Sequence, residues 1–71
     1  MTIVTQNRVA IVNYDHVNSV DIQGGYIRAY ISGEQSINMA HYDTHDRAKS
    51  EFARLIDAAS CKQNVFYFAE S

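Results

Sequence analysis

The densest run of side chains able to do chemistry is His41-Tyr42-Asp43-Thr44-His45-Asp46. Two imidazoles and two carboxylates so close together could ligate a metal or relay protons. The same run also reads as a strand end followed by a helix start. Asp43 is a good N-cap, Thr44 is an alternative, and acids favour the positive end of a helix. His41 and His45 fall on opposite sides of that bend, and no convergent set of three ligands is visible. The cap is therefore the preferred reading, and no metal is assigned. Cys61, the only cysteine, follows the expected helix. A helix C-terminus is negative and raises a thiol's pKa, which opposes nucleophilic use. The expectation for Cys61 is a small apolar residue packing the helix end. Gly24-Gly25 could cradle a phosphate, but phosphate loops need a following helix, so a hairpin turn is expected. No catalytic residue and no cofactor is assigned, and the chain is not expected to be an enzyme.

A different candidate comes from strand register. If Gly24-Gly25 is a two-residue turn, Ile22 faces Ile27 and Val20 faces Ala29, so the apolar residues share one side. The other side then carries Tyr26, Arg28, Tyr30 and Tyr42, with Tyr26 opposite Tyr42 and Arg28 opposite Asp21. Tyrosine and arginine are the types enriched where protein interfaces bind most tightly. The competing reading is a solvated face on which tyrosine pairs and an Asp21–Arg28 pair support the sheet.

The elements that must position these residues follow from patterning. Ile3–Thr5 and Val9–Asn13 are short β-prone segments joined by the polar Gln6-Asn7-Arg8, which predicts a hairpin. Tyr14-Asp15-His16 breaks the pattern. Val20–Ile22, Ile27–Ile31 and Ile37–Met39 follow as strands. An odd loop, of three residues, around Ser32-Gly33-Glu34 is expected to pair Ile31 with Ile37 and Ala29 with Met39. The core face would hold Val20, Ile22, Ile27, Ala29, Ile31, Ile37 and Met39. Ala48, Phe52, Leu55, Ile56 and Ala59 recur at helical spacing, predicting an amphipathic helix from about Asp43 to Ala59. Its outer face would carry Arg47, Lys49, Ser50, Glu51, Arg54 and Asp57, a mixed-charge solvated stripe. Val65-Phe66-Tyr67-Phe68 has strand propensity and could close the sheet or pair with another chain. The fold class is α+β: a small, mostly antiparallel β-sheet with one amphipathic α-helix packed on one face.

At 71 residues the chain makes one domain, residues 1–71. So short a chain buries little of its surface, and small scaffolds compensate with disulfides, a metal or self-association. A lone cysteine removes the first, and the spacing of His16, His41 and His45 disfavours the second. Self-association remains. A net charge of -2 and a pI of about 5.8 weigh against binding nucleic acid through its phosphates. No apolar stretch approaches the ~18 residues that span a bilayer, and no signal-peptide pattern opens the chain, so no membrane partner is expected. The lone cysteine and the lack of such a signal predict a cytoplasmic setting.

The opening Ile-Val-Thr-Gln-Asn-Arg-Val-Ala-Ile-Val-Asn-Tyr-Asp-His-Val, residues 3–17, and the later Tyr42-Asp43-Thr44-His45-Asp46-Arg47-Ala48-Lys49 carry a resemblance. They resemble a family of small uncharacterised proteins of Firmicute bacteria and their phages and mobile elements. The resemblance spans most of the chain and implies a sheet, a capped helix and a short aromatic strand. It brings no catalytic residues. The chain departs from the pattern where Phe66-Tyr67-Phe68 runs into Ala69-Glu70-Ser71 without a proline, and its loops are shorter. A phage setting implies a small protein that modulates a host defence or regulatory complex.

The first functional expectation is therefore a non-enzymatic interaction protein. It would bind a host protein, or itself as a homo-oligomer, through Tyr26, Arg28, Tyr30 and Tyr42 or through the aromatic edge at Phe66 to Phe68. The alternative is an oligomeric protein that binds or sequesters a small ligand, such as a nucleotide signal, in a pocket between subunits. A stacking platform for single-stranded nucleic acid is a third reading, opposed by the negative charge.

Overall fold

Alternating apolar residues and a glycine turn build the larger of two sheets. In the computed structural model, which describes residues 1–31 and 35–70, β3 (Val17–Gln23), β4 (Tyr26–Ile31) and β5 (Gln35–His41) form an antiparallel meander. Ile22 faces Ile27, Val20 faces Ala29 and Asp21 faces Arg28, as the alternation requires. Gly24 takes a φ of 60°, the left-handed value that glycine tolerates at the first central position of a tight hairpin. Gly25 serves a different need. A Cβ there would lie 1.9 Å from the Tyr42 carbonyl oxygen, because the Gly25 carbonyl accepts the Tyr42 N–H at 2.8 Å.

The smaller sheet was not expected as a separate layer. Its order is β2-β1-β6, from β1 (Thr2–Val4), β2 (Ile11–Asn13) and β6 (Val65–Tyr67). β1 and β2 form the predicted hairpin, and β6 joins β1 in parallel. The final aromatic segment thus closes this sheet within the chain. The fold is α+β, with two three-stranded, mainly antiparallel sheets in place of one. A 3₁₀ turn over Tyr14–His16 makes the break between them.

Helix α1 (His45–Ser60) packs against β3 and β4. Its cap is Thr44, whose hydroxyl accepts the Arg47 N–H at 3.1 Å, and Asp43 stays outside. The C-terminus closes with Gln63 N–H on Ala58 and Lys62 N–H on Ala59, a pairing that needs the left-handed Lys62 at φ 57°. The buried stripe is Ala48, Glu51, Leu55 and Ala58, with Phe52 packed at its margin. Ile56, expected inside, is half exposed, and Glu51, expected outside, is 2% exposed. Cys61 is exposed and does not pack the helix end as expected.

One core joins the layers. The row Val12–Ile3–Phe66 from the small sheet meets Ile27, Ala29, Met39 and Ala40 from the large one, with Leu55 and Phe68. Val20, Ile22 and Ile37 pack at its margin. The β4–β5 pairing departs from expectation: Ala29 faces Ile37 and Ile31 faces Gln35. That register is two residues from the expected one, so Ile37 keeps its side. The three-residue loop at Ser32-Gly33-Glu34 lies outside the described residues.

Candidate functional site

The outer face of the large sheet is set by strand parity and by one irregularity. Ile27 pairs with Ala40 and Arg28 with Asn38, which leaves Met39 as an extra residue, a β-bulge. Met39 and Ala40 are adjacent and both buried, which regular alternation forbids. The bulge resolves the conflict, and every residue after it changes side. His41, not Tyr42, therefore faces Tyr26. The expected Tyr26–Tyr42 pair is corrected on this ground.

Three of the four expected residues, Tyr26, Arg28 and Tyr30, share β4's outer side, with Asp21 of β3 and Asn38 and His41 of β5. Tyr26, 44% exposed, stacks on His41 with ring centroids 4.2 Å apart. The Arg28 guanidinium lies over the Tyr30 ring at 5.2 Å and bonds its hydroxyl, and that hydroxyl donates to Asp21 at 3.0 Å. Arg28 Nε and Asp21 Oδ1 oppose each other at 3.7 Å as an ion pair without a hydrogen bond. The arginine is thus braced from both sides. A shallow hollow of about 230 Å³ opens between Gln23, Tyr26, Arg28 and Asn38.

Tyr42 belongs to the interior. It is 3% exposed, its hydroxyl donates to the Ala69 carbonyl at 2.7 Å, and Arg47 stands 5.1 Å over its ring. Burial, reinforced by the negative Glu51, pushes its pKa up to about 12. Glu51 is the residue that the helical pattern misplaced. Its carboxylate accepts the Ala69 N–H at 2.9 Å, Arg47 Nη1 at 3.0 Å and Arg54 Nη1 at 2.5 Å. Burial acts to raise its pKa. The Ala69 amide and the two arginines outweigh that and hold it below the usual carboxylate range. Arg47 and Arg54 at spacings of four and three from Glu51 were the available signal, since a buried carboxylate needs such partners.

Gln6, expected only as a turn residue, is a second tether. Its N–H donates to the Met39 carbonyl at 2.8 Å, and its side-chain oxygen accepts the His41 N–H at 2.7 Å. Its side-chain nitrogen donates to Glu70 at 2.6 Å and Ala69 at 3.3 Å. The bulge, the small-sheet turn and the C-terminal segment are thus stitched by one amide.

His41, Asp43, His45 and Asp46 do not assemble into a centre. His41 stacks on Tyr26, and His45 Nδ1 lies 2.9 Å from the Gly24 carbonyl. Among the described residues, no group of three His, Cys, Asp or Glu side chains is placed to hold a metal ion. A cleft of about 360 Å³ runs between the end of α1 and β6 and is lined by Arg54, Asp57, Cys61, Val65 and Tyr67. Among the described residues, no helix is long and apolar enough to cross a membrane. No protein-family model, no curated protein and no solved structure matches the chain.

Proposed function

We propose that the protein is a non-enzymatic interaction module that binds a host protein through the outer face of β3, β4 and β5. The observation that carries this reading is the Tyr26–His41 stack beside the braced Arg28. A flat aromatic pair next to an arginine already held in place offers a partner large contact area at little cost in side-chain freedom. The binding set is Tyr26, Arg28 and Tyr30 with His41. Tyr42 supports it from beneath by holding Gly25 and the end of β5. The family resemblance adds a setting: a phage-borne protein acting on a host defence or regulatory complex.

The test is capture of a defined partner from host lysate, identified by mass spectrometry, with wild type against Tyr26→Ala plus Arg28→Ala. Arg28 braces Tyr30 and Asp21, so the double substitution should cost about 1–2 kcal/mol, and a native circular dichroism spectrum shows that the domain still folds. Capture should be lost. Capture that survives the double substitution removes this face.

The second reading, a small-ligand binder, draws on the 360 Å³ cleft beside Val65 and Tyr67. Its size is at the low end of the roughly 300–1,000 Å³ typical of ligand pockets. Nucleotide titrations followed by heat of binding would separate it from the first, and silence there favours the protein partner.

A further inference from the structure

The small sheet has two faces with different company. Its inner row, Val12–Ile3–Phe66, is in the core. Its outer side carries the row Ile11–Val4–Tyr67 above the row Asn13–Thr2–Val65. Helix α1 packs chiefly on the other sheet, and its end borders this side only at the cleft beside Val65 and Tyr67. Ile11 is 71% exposed, Val9 79%, Tyr67 55% and Val65 42%. With Val9 beside the turn and the others on the strands, exposed apolar side chains gather at this end of the molecule, and such clustering is characteristic of a contact site.

A second observation falls at the same place. Arg8, in the β1–β2 turn, holds a φ of 62°. Glycine or asparagine would adopt that conformation more cheaply, and a larger side chain kept there points to a use for it. The Arg8 guanidinium sits 4.9 Å over the Tyr67 ring, at one end of the patch. Asp15, exposed, follows β2 at the opposite end of the same hairpin.

We infer that this face is covered by a second copy of the chain in a two-fold dimer. A two-fold axis lying between the sheets and across the strands lays each hairpin antiparallel on its mate. Each Arg8 then lies toward the mate's Asp15, and the apolar rows meet at the centre. The charge pattern is complementary to itself, as an isologous contact requires. Thr2, Arg8 and Asn13 give this apolar centre a polar margin, the anatomy of a specific interface. The association uses residues of the small sheet and none of Tyr26, Arg28, Tyr30 or His41, so it stands independently of the proposed partner site.

Sedimentation equilibrium of the full chain over a concentration series tests this. A species of twice 8.0 kDa is expected. Ile11→Lys should give a monomer with an unchanged circular dichroism spectrum and a urea midpoint that no longer rises with protein concentration, because Ile11 is outside the core. Arg8→Asp and Asp15→Arg should each raise the dimer dissociation constant about tenfold, and the double reversal should recover it. Tyr26→Ala should leave the dimer intact. A monomer at every concentration up to about 1 mM, the scale of very weak association, overturns the inference. So does a dimer that survives Ile11→Lys, or a double reversal without recovery. A wild-type monomer whose Ile11 face captures a different protein overturns it too.

Discussion

The two sheets solve the same problem by different means. In the large sheet, strands of six and seven residues follow one another along the chain, and α1 covers their inner face. Its ladder is local and long, so it closes with little loop entropy. In the small sheet, strands of three residues come from opposite ends of the chain. Three-residue ladders are too short to stand alone. Their place is set by the shared core and by side-chain tethers, chiefly Gln6 and the Glu51–Tyr42 pair on Ala69. The comparison teaches that short strands need polar groups reaching in from outside the sheet, and that these polar groups cannot be read as surface.

The sharpest way to break the comparison is Glu51→Gln. It removes the buried charge that satisfies two arginines and the Ala69 amide, and should cost about 2–4 kcal/mol in urea unfolding. The same residue sets an acid limb. A pKa lowered by folding means stability that is present above the unfolded value, about 4.3, and is lost as pH falls through the folded value. Wild-type stability should therefore decline from that point downward, and the Glu51→Gln curve should be flatter there. An equal slope in both proteins would remove Glu51 from the acid response.

Next comes Gln6→Leu, which deletes the side-chain bonds to His41, Ala69 and Glu70 and should cost about 2 kcal/mol. Its value lies in where the loss falls. Amide exchange should accelerate in β1 and β6 far more than in β3 and β4. Uniform acceleration would mean that the two sheets open as one unit.

The smallest effect is expected for Tyr42→Phe, about 1 kcal/mol for one buried hydroxyl bond. Tyr42's pKa is raised by folding, so its contribution is complete below pH 10 and is lost as pH climbs towards 12. Tyrosinate absorbance should show a late-titrating component in the wild type that the variant loses.

Much of the large sheet was legible because its signals are local. The glycine pair and the Val20, Ile22, Ile27, Ala29 alternation fixed β3 against β4, and through them the Asp21–Arg28 pair. The helix was legible from its spacing, although its buried stripe is turned towards Glu51 and away from Ile56. What escaped depends on distant partners. A carboxylate next to two arginines in sequence looks solvated until Ala69 arrives to be bound. The parallel β1–β6 pair needs both chain ends, and the bulge at Met39 answers a core contributed by other elements. The candidate face was accordingly legible up to Arg28 and Tyr30, and His41 was missed for Tyr42.

That bulge sets which side each residue at the end of β5 faces. Deleting Met39, a single codon, would restore regular alternation with Asn38 still opposite Arg28, Ala40 opposite Ile27 and His41 opposite Tyr26. His41 and Tyr42 would keep their sides, and the loss would be one methionine side chain from the core. Straightening the strand with Met39 kept would instead exchange those sides and take the Tyr42 phenol from the Ala69 carbonyl. The strand should therefore tolerate the loss of its extra residue better than the loss of its bulge, while the outer positions Ser36 and Asn38 accept replacement singly.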